Sequence, residues 1–544
     1  MEAAGRARPG RYSETRRQPI YPNAAMSSAS ARLLRSSRAL LIPTLADLFF
    51  AALLAALFSQ PAAWQALFAD GDTGWHIRTG EWILQSRAVP HHDLFSFSRP
   101  AAPWFAWEWL SDVLFALCFR VHGLNAIAAL TAAVVCLSGA VLSIALLRRG
   151  AGLWIAASVT MAVVSASSVH YLARPHVFSL LGFTLSLWIL SEDRRRPTGW
   201  LWILVPLVGV WANLHGGFVG WLATLVFLLA AVAAQRDWRS VRRYGTLTAL
   251  SAAATLANPY GWQLHRHIVD YLRSSWILDH VQEFQSPSIR SENMLVFAGL
   301  LLAGAAFASR TLARREWFEG GLVLVWGLAA LRSARHIPLY AIAAAPVIAA
   351  ECAAWCAGRA AGAPARSSAR VLWQVGVDFG RTARLSVWAL ILGALVIGSS
   401  LRSASLADFP PSSFPVAAAT QYENLLAPPL GAPRILTSDQ WADYLIYRFF
   451  PRERVFFDGR SDFYGPKLGA DYETLRAARP RWPEVLARYG FDVALLPADW
   501  PLAGLLERDP GWQLIDRNPV SELLIRGSKL KRSCAPADAN SVGG

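Results

Sequence analysis

Apolar runs of roughly 20 residues, the length a bilayer-crossing helix needs, recur along this chain between short stretches rich in arginine. The first is residues 40–59, LLIPTLADLFFAALLAALFS. Others follow near 124–147, 152–170, 176–191, 199–213, 216–234, 246–258, 293–309, 320–334, 338–356 and 385–401. The pattern predicts a polytopic α-helical membrane protein of about 11 transmembrane helices. Charge placement supports the alternation. Arginines cluster at 148–149, 194–196, 236–243, 310–315 and 359–384, at every second loop, while the intervening loops are poorer in arginine. By the positive-inside rule the N-terminus is cytoplasmic and the C-terminus extracytoplasmic.

Two outward segments break the apolar rhythm. Residues 61–123 form a long first outward loop, too polar to span and rich in Trp and Phe. Within it Trp75, Trp82, Ile83 and Leu84 give one helix an apolar side. Trp104-Phe-Ala-Trp-Glu-Trp-Leu-Ser-Asp112 gives a second, with the turn Pro90-His-His-Asp93 between them. Both read as interfacial helices. From 402 to 528 the pattern becomes short strand-like runs (434–437, 454–457, 493–496, 522–526) alternating with helix-like segments at 439–449 and 483–489, a small extracytoplasmic α/β domain. This divides the chain into a basic disordered cytoplasmic N-terminus (1–38), a membrane domain (39–401), the α/β domain (402–528) and a disordered tail (529–544). Met26 is an alternative start.

Composition changes little in this picture. The chain is 54% hydrophobic and 16% charged, with a formal net charge of +15. That excess sits in loops between apolar segments, where it sets topology, so no nucleic-acid partner is implied. Lysine occurs only at 467, 529 and 531, an arginine bias typical of a GC-rich bacterial source. The five cysteines show no metal-ligand spacing, and Cys352 and Cys356, one helical turn apart, read as packing residues.

The candidate chemistry lies on the outward side. Asp70-Gly-Asp72 follows directly on the first span, and Glu108 and Asp112 share one helix face at i, i+4. All eleven histidines fall in outward loops or at outward span ends in this topology. Further polar breaks there are Arg174-Pro-His176, Asn213-Leu-His215, Asn258-Pro-Tyr260, Gln282-Glu283 and Arg332-Ser-Ala-Arg335-His336. Irregular polar backbone at membrane depth is tolerated where it lines protein or a watery cavity, so the breaks predict one outward-opening cavity. Helix capping and a wet interfacial face are the competing readings for each. His91 and His92 read as loop residues, and Asp458-Gly as a turn with Arg460 paired to Asp458 or Asp462. Asp47 lies near the inner end of span one, within reach of solvent.

A span followed at once by an acidic motif and two interfacial helices resembles the GT-C superfamily of integral-membrane glycosyltransferases. Asp70-Gly-Asp-Thr-Gly-Trp-His-Ile-Arg-Thr-Gly-Glu, Trp107-Glu-Trp-Leu, Ala173-Arg-Pro-His, Ala212-Asn-Leu-His-Gly-Gly and Phe457-Asp-Gly-Arg460-Ser-Asp-Phe-Tyr464 are similar to a bacterial branch of it. The resemblance covers about residues 40–530. It implies transfer of a sugar from a polyprenyl-phosphate carrier to a glycan, lipid or protein acceptor, with inversion, at the outer face of the bacterial inner membrane. In the superfamily an acidic residue of the first loop serves as base, or as a metal ligand in oligosaccharyltransferase members. By position Asp72 or Asp70 takes that role, with Glu108 as the other candidate base. His76, Arg174, His176, Asn213, His215, Arg332, Arg335 and His336 are candidate substrate-binding residues. Of these, Arg174, Arg332 and Arg335 could clamp the leaving phosphate. Such a clamp makes a divalent metal unnecessary, so no cofactor is assigned. A lipid or glycan transporter or flippase, and a non-catalytic membrane scaffold, are the alternative classes.

Overall fold

A computed structural model describes residues 41–380, 383–401, 407–425 and 433–527. The expected disordered segments at 1–38 and 529–544 lie outside the described residues. Among those described, four helices are long and apolar enough to cross a membrane: Trp109–Arg148, Leu153–His170, Glu292–Ala313 and Ala334–Gly362. Leu45–Phe58, Gly199–Leu214, Phe218–Ala234 and Val387–Ser399 are shorter apolar helices. The three other expected spans fold as helices His176–Arg195, Trp238–Ala254 and Trp317–Arg332. Every stretch read as a span is therefore helical, while crossing is supported by length and apolarity only for the first four.

The boundaries differ from the sequence pattern in an instructive way. Residues 104–108 precede a helix rather than forming one, and Glu108 stands just before helix Trp109–Arg148. That 40-residue element merges the second loop helix with span two across a kink at His122 and Gly123, where Gly123 takes a φ of +59°. A left-handed residue without a Cβ lets the chain redirect at no steric cost. Asp47 is fully buried rather than solvated. It accepts hydrogen bonds from the Ser386 N–H and Oγ, both 2.7 Å, and from the Thr44 N–H at 2.7 Å. It thereby joins the start of helix Leu45–Phe58 to the start of helix Val387–Leu401, which a buried carboxylate requires.

The tail holds a four-stranded sheet. Its strands are β1 (Ile435–Leu436), β2 (Val493–Pro497), β3 (Trp512–Arg517) and β4 (Ser521–Arg526), in the order β1-β2-β4-β3. β1 is parallel to β2, and the other pairs are antiparallel. β3 was not apparent in the sequence, because its residues lack clean alternation. The run at 454–457 forms no strand. Val455 instead bridges Ser96 and Ile435, donating to Phe95 O at 2.9 Å while its carbonyl accepts from Phe97 N–H at 3.0 Å. The first loop thus continues the tail sheet. Trp64, Phe68, Phe95, Trp104, Phe115, Tyr444 and Phe457 share one hydrophobic core, so loop and tail are packed as one body. Helix Thr73–Ser86, expected at an open interface, is mostly buried beneath the tail helix Asp439–Phe449.

Candidate functional site

The acidic motif is shaped first by its glycines. A side chain at Gly71 would collide with the Gln440 carbonyl, one at Gly74 with the Asp443 carbonyl, and one at Gly80 with the Asp112 carbonyl. Close backbone approach therefore locks the loop between helix Asp439–Phe449 and the start of helix Trp109–Arg148. Gln440 Oε1 adds a bond from the Gly71 N–H at 2.7 Å. Thr73 Oγ1 donates to Ala173 O at 2.7 Å, which delivers Arg174 onto the motif.

Arg174 then gathers three carboxylates: Asp72 at 2.7 Å, Glu283 at 2.7 Å and Asp70 at 3.0 Å. Desolvation pushes Asp72 up to about 7 against the pull of Arg174, with Asp70 and Glu283 adding to the rise. Glu283 is held well below the usual carboxylate range: burial opposes this, but Arg174 and neighbouring His170 and Arg335 outweigh it. One guanidinium does not offset three acids equally, so Asp72, the most shielded from water, is pushed up while the more exposed Glu283 stays ionised.

Beside this cluster Glu108 sits between two imidazoles, with His76 Nε2 at 3.8 Å and His215 Nε2 at 3.6 Å. His76 Nδ1 meets Asp112 Oδ1 at 2.6 Å, and both residues are buried. The His215 tautomer follows from its neighbours. Gly217 N–H donates to Nδ1 at 3.0 Å, and Ser179 Oγ, 2.6 Å from Nδ1, accepts from Trp211 Nε1 and so donates to the ring. The proton of neutral His215 therefore sits on Nε2, facing Glu108. Burial pushes Glu108 up to about 8 and holds both His76 and His215 well below the ordinary imidazole range.

The remaining candidates divide. Arg335 lies over the Phe284 ring at 4.4 Å, its Nη1 is buried without a hydrogen-bond partner, and its charge acts on Glu108 and Glu283. His176 donates from Nε2 to His170 O at 2.6 Å and lies near the His215 ring, centroids 6.3 Å apart. Asn213 bonds Trp109 Nε1, Gly209 O and Ala257 O, so its amide joins helices rather than facing an opening. His336 bonds Ala329 O against Trp326. Arg332 is exposed and makes none of these contacts.

Sequence reading missed Asp443. It is fully buried, accepts from the Gly459 N–H at 3.2 and 3.1 Å and stands with the Asp72 carboxyl over Gly459. Its only sequence signal is an acid in the buried register of Trp441-Ala-Asp443-Tyr444. Asp112 was noted only for its spacing from Glu108, and Glu283 only as part of a polar loop. The turn at Asp458 pairs with Arg460 as one of the two expected partners: Arg460 meets Asp458 at 2.6 Å, and it also meets Asp93 of the first loop at 2.8 Å. Tyr464 donates to Asp458 at 2.7 Å. The acidic cluster converges on a guanidinium, and among the described residues no group of three His, Cys, Asp or Glu side chains is placed to hold a metal ion.

No family model matches the sequence, and no curated protein matches it. Among solved structures the chain is similar to the archaeal oligosaccharyltransferase AglB from Archaeoglobus fulgidus, in complex with an inhibitory peptide and a dolichol-phosphate. The TM-score is 0.54 at 12% identity, covering 83% of this chain and 69% of that one. The apo form of the Archaeoglobus fulgidus oligosaccharyltransferase matches at a TM-score of 0.48 and 12% identity, over 84% and 69% of the two chains. At such identity the first likeness is one of architecture alone: this chain shares the fold of that structure.

Proposed function

We propose that this chain is a membrane glycosyltransferase that moves a sugar from a polyprenyl-phosphate carrier to a glycan, lipid or protein acceptor. Transfer takes place at the outer face of a bacterial inner membrane and inverts the anomeric carbon. The observation that carries the reading is the convergence of Asp70, Asp72 and Glu283 on Arg174, with Glu108 alongside between two neutral histidines. The AglB structure of similar fold holds a dolichol-phosphate and a peptide, which fits a lipid-linked donor and a separate acceptor.

In this reading Asp72 is the base. Its carboxyl titrates near neutral pH, where a base is both ionised and basic enough to take a hydroxyl proton. The acceptor oxygen bonds to the anomeric carbon as the bond from that carbon to the carrier phosphate breaks, and the acceptor proton passes to Asp72. The phosphate leaves with its charge, and Arg174 and Arg335 are the cations available to it. Binding of that phosphate draws Arg174 away from Asp72 and frees the carboxylate. Glu108, protonated at neutral pH, donates a hydrogen bond to a substrate oxygen.

The test is transfer from a radiolabelled polyprenyl-phosphate sugar in proteoliposomes. Wild-type rates from both Asp70→Asn and Asp72→Asn would sink the assignment of the base. Movement of the lipid-linked sugar across the vesicle without any glycosidic product would favour a transporter.

A further inference from the structure

We propose that helix Trp262–Arg273 lies in the headgroup layer of a phospholipid bilayer and holds the acidic site at that depth. The consequence for catalysis rests on the glycosyl-transfer reading, but the membrane contact does not.

The helix has three separate faces. One is packed: Leu264 and Ile268 are buried, His267 stacks on Phe105 with ring centroids 4.5 Å apart, and Tyr271 meets Trp107 at 5.6 Å. His267 Nε2 also lies 2.9 Å from Asp462 Oδ2. This face therefore rests on the first loop, next to Glu108. At the helix start His265 Nε2 lies 2.8 Å from Thr255 Oγ1, which ties it to the end of helix Trp238–Ala254.

The second face is apolar and open. Trp262 is 62% exposed, and Val269 and Leu272 are exposed as well. The third face is polar, and its order matters. At about 100° per residue, Arg273 and Arg266 stand directly beside the Trp262–Val269 row, and Asp270 and Gln263 lie further round, all four exposed. Going round the helix the surface passes from apolar, through cationic, to acidic and neutral. That is the order of acyl chains, lipid phosphates and water across a bilayer surface. A face turned to water would not carry Trp262, and a face buried against a second copy would not border its apolar row with paired arginines.

Because the packed face carries His267 and Tyr271 to the first loop, the helix sets the depth of Glu108 relative to lipid phosphates. A lipid-linked substrate then reaches the carboxylates with its tail still in the leaflet.

The experiment uses the full chain, with its cysteines replaced by serine, in nanodiscs of phosphatidylcholine and phosphatidylglycerol. Nitroxides are placed at Val269→Cys, Leu272→Cys and Asp270→Cys. Collision with oxygen should exceed collision with a water-soluble nickel chelate severalfold at 269 and 272, with the reverse at 270. Equal aqueous access at all three positions overturns the proposal. Dipolar broadening between labels on separate chains also overturns it, by assigning the face to a second copy. Leu272→Asp should slow transfer from a long-chain polyprenyl-phosphate donor while leaving a short-chain, water-soluble donor unaffected. Equal slowing of both donors overturns the depth argument. If wild type turns over neither donor, the glycosyl-transfer reading falls, and the label accessibilities alone decide the membrane contact.

Discussion

The carboxyl of Asp72, at the start of the first-loop helix, and the carboxyl of Asp443, in the middle of a helix of the tail, close together over Gly459, where a side chain would collide with both. Both are buried and both are pushed above the ordinary carboxylate range, chiefly by desolvation; the charges of Asp70 and Glu283 add to the rise at Asp72, and those of Asp72 and Asp458 to the rise at Asp443. Two adjoining carboxylates in such a place hold one proton between them. Asp70, Asp458 and Glu283 add negative charge near the pair, and Arg174 opposes it at Asp72.

The first expectation concerns chemistry. Asp72→Asn keeps the size of the side chain and its place beside Arg174 but cannot take a proton. Sugar transfer in proteoliposomes should fall by about 10²–10⁴-fold, with the elution profile of the purified protein unchanged. A loss below tenfold would remove Asp72 from the role of base.

Stability should depend on pH in a definite direction. Asp72 and Glu108 have folded-state values raised to about 7 and about 8, so the folded state binds more protons than the unfolded one above about pH 4. Their contribution is complete below the unfolded values and is lost as pH rises through the folded ones. Thermal unfolding in detergent should therefore move to lower temperature between about pH 6.5 and pH 8, above the range in which the depressed His76 and His215 act in the opposite sense. Glu108→Gln should flatten that slope, and an unchanged slope would contradict the burial assigned to Glu108.

Removing Arg174 leaves three carboxylates facing one another. Arg174→Ala should destabilise the protein by about 3 kcal/mol, as expected when one partner of an enclosed ion pair is deleted. Arg174→Lys should recover part of that, since a point charge replaces a fork that reaches several oxygens. Melting curves of the two variants, compared at one pH, give the measurement.

The glycines of the acidic motif make the docking of the tail sensitive to a single methyl. Gly74→Ala places a Cβ against the Asp443 carbonyl, an overpacking that costs about 1–3 kcal/mol. Residues 439–449 should then exchange amide hydrogens faster than in wild type, while the membrane helices exchange at their former rates.

Arg460 offers an independent check on the same interface. It is buried under Trp104 and Phe95 and paired with Asp93 and Asp458. Arg460→Ala strands two buried carboxylates and should cost about 3–5 kcal/mol, seen as protease cleavage in the first loop at protein concentrations where wild type resists.

The helices of the membrane domain, the first-loop helix at Trp75 and the tail helices at 439–449 and 483–489 can be read from sequence because each is a local property. An apolar run or a helical period is complete within its own window. Asp70-Gly-Asp72 stood out as a candidate for a related reason, since its position after the first apolar run is a fact of order along the chain. Boundaries were less legible. Trp104–Glu108 looks helical by its spacing, yet the helix begins only at Trp109, because packing beneath the tail decides where this stretch turns.

What the sequence by itself determined is the set of apolar segments, their order, and the crowding of acids, histidines and arginines at one set of their ends. Tertiary structure alone decided which of those groups meet. Arg174 finds Asp70, Asp72 and Glu283 across long separations in the chain, and Asp443 reaches Asp72 only because Gly71 and Gly74 admit its helix. The physical reason is that ion pairing and desolvation depend on distance in space and on exclusion of water, neither of which leaves a period in the sequence. The two carboxylates of the acidic motif are the same type of residue two positions apart. Burial beside Asp443 is what sets Asp72 apart from its neighbour.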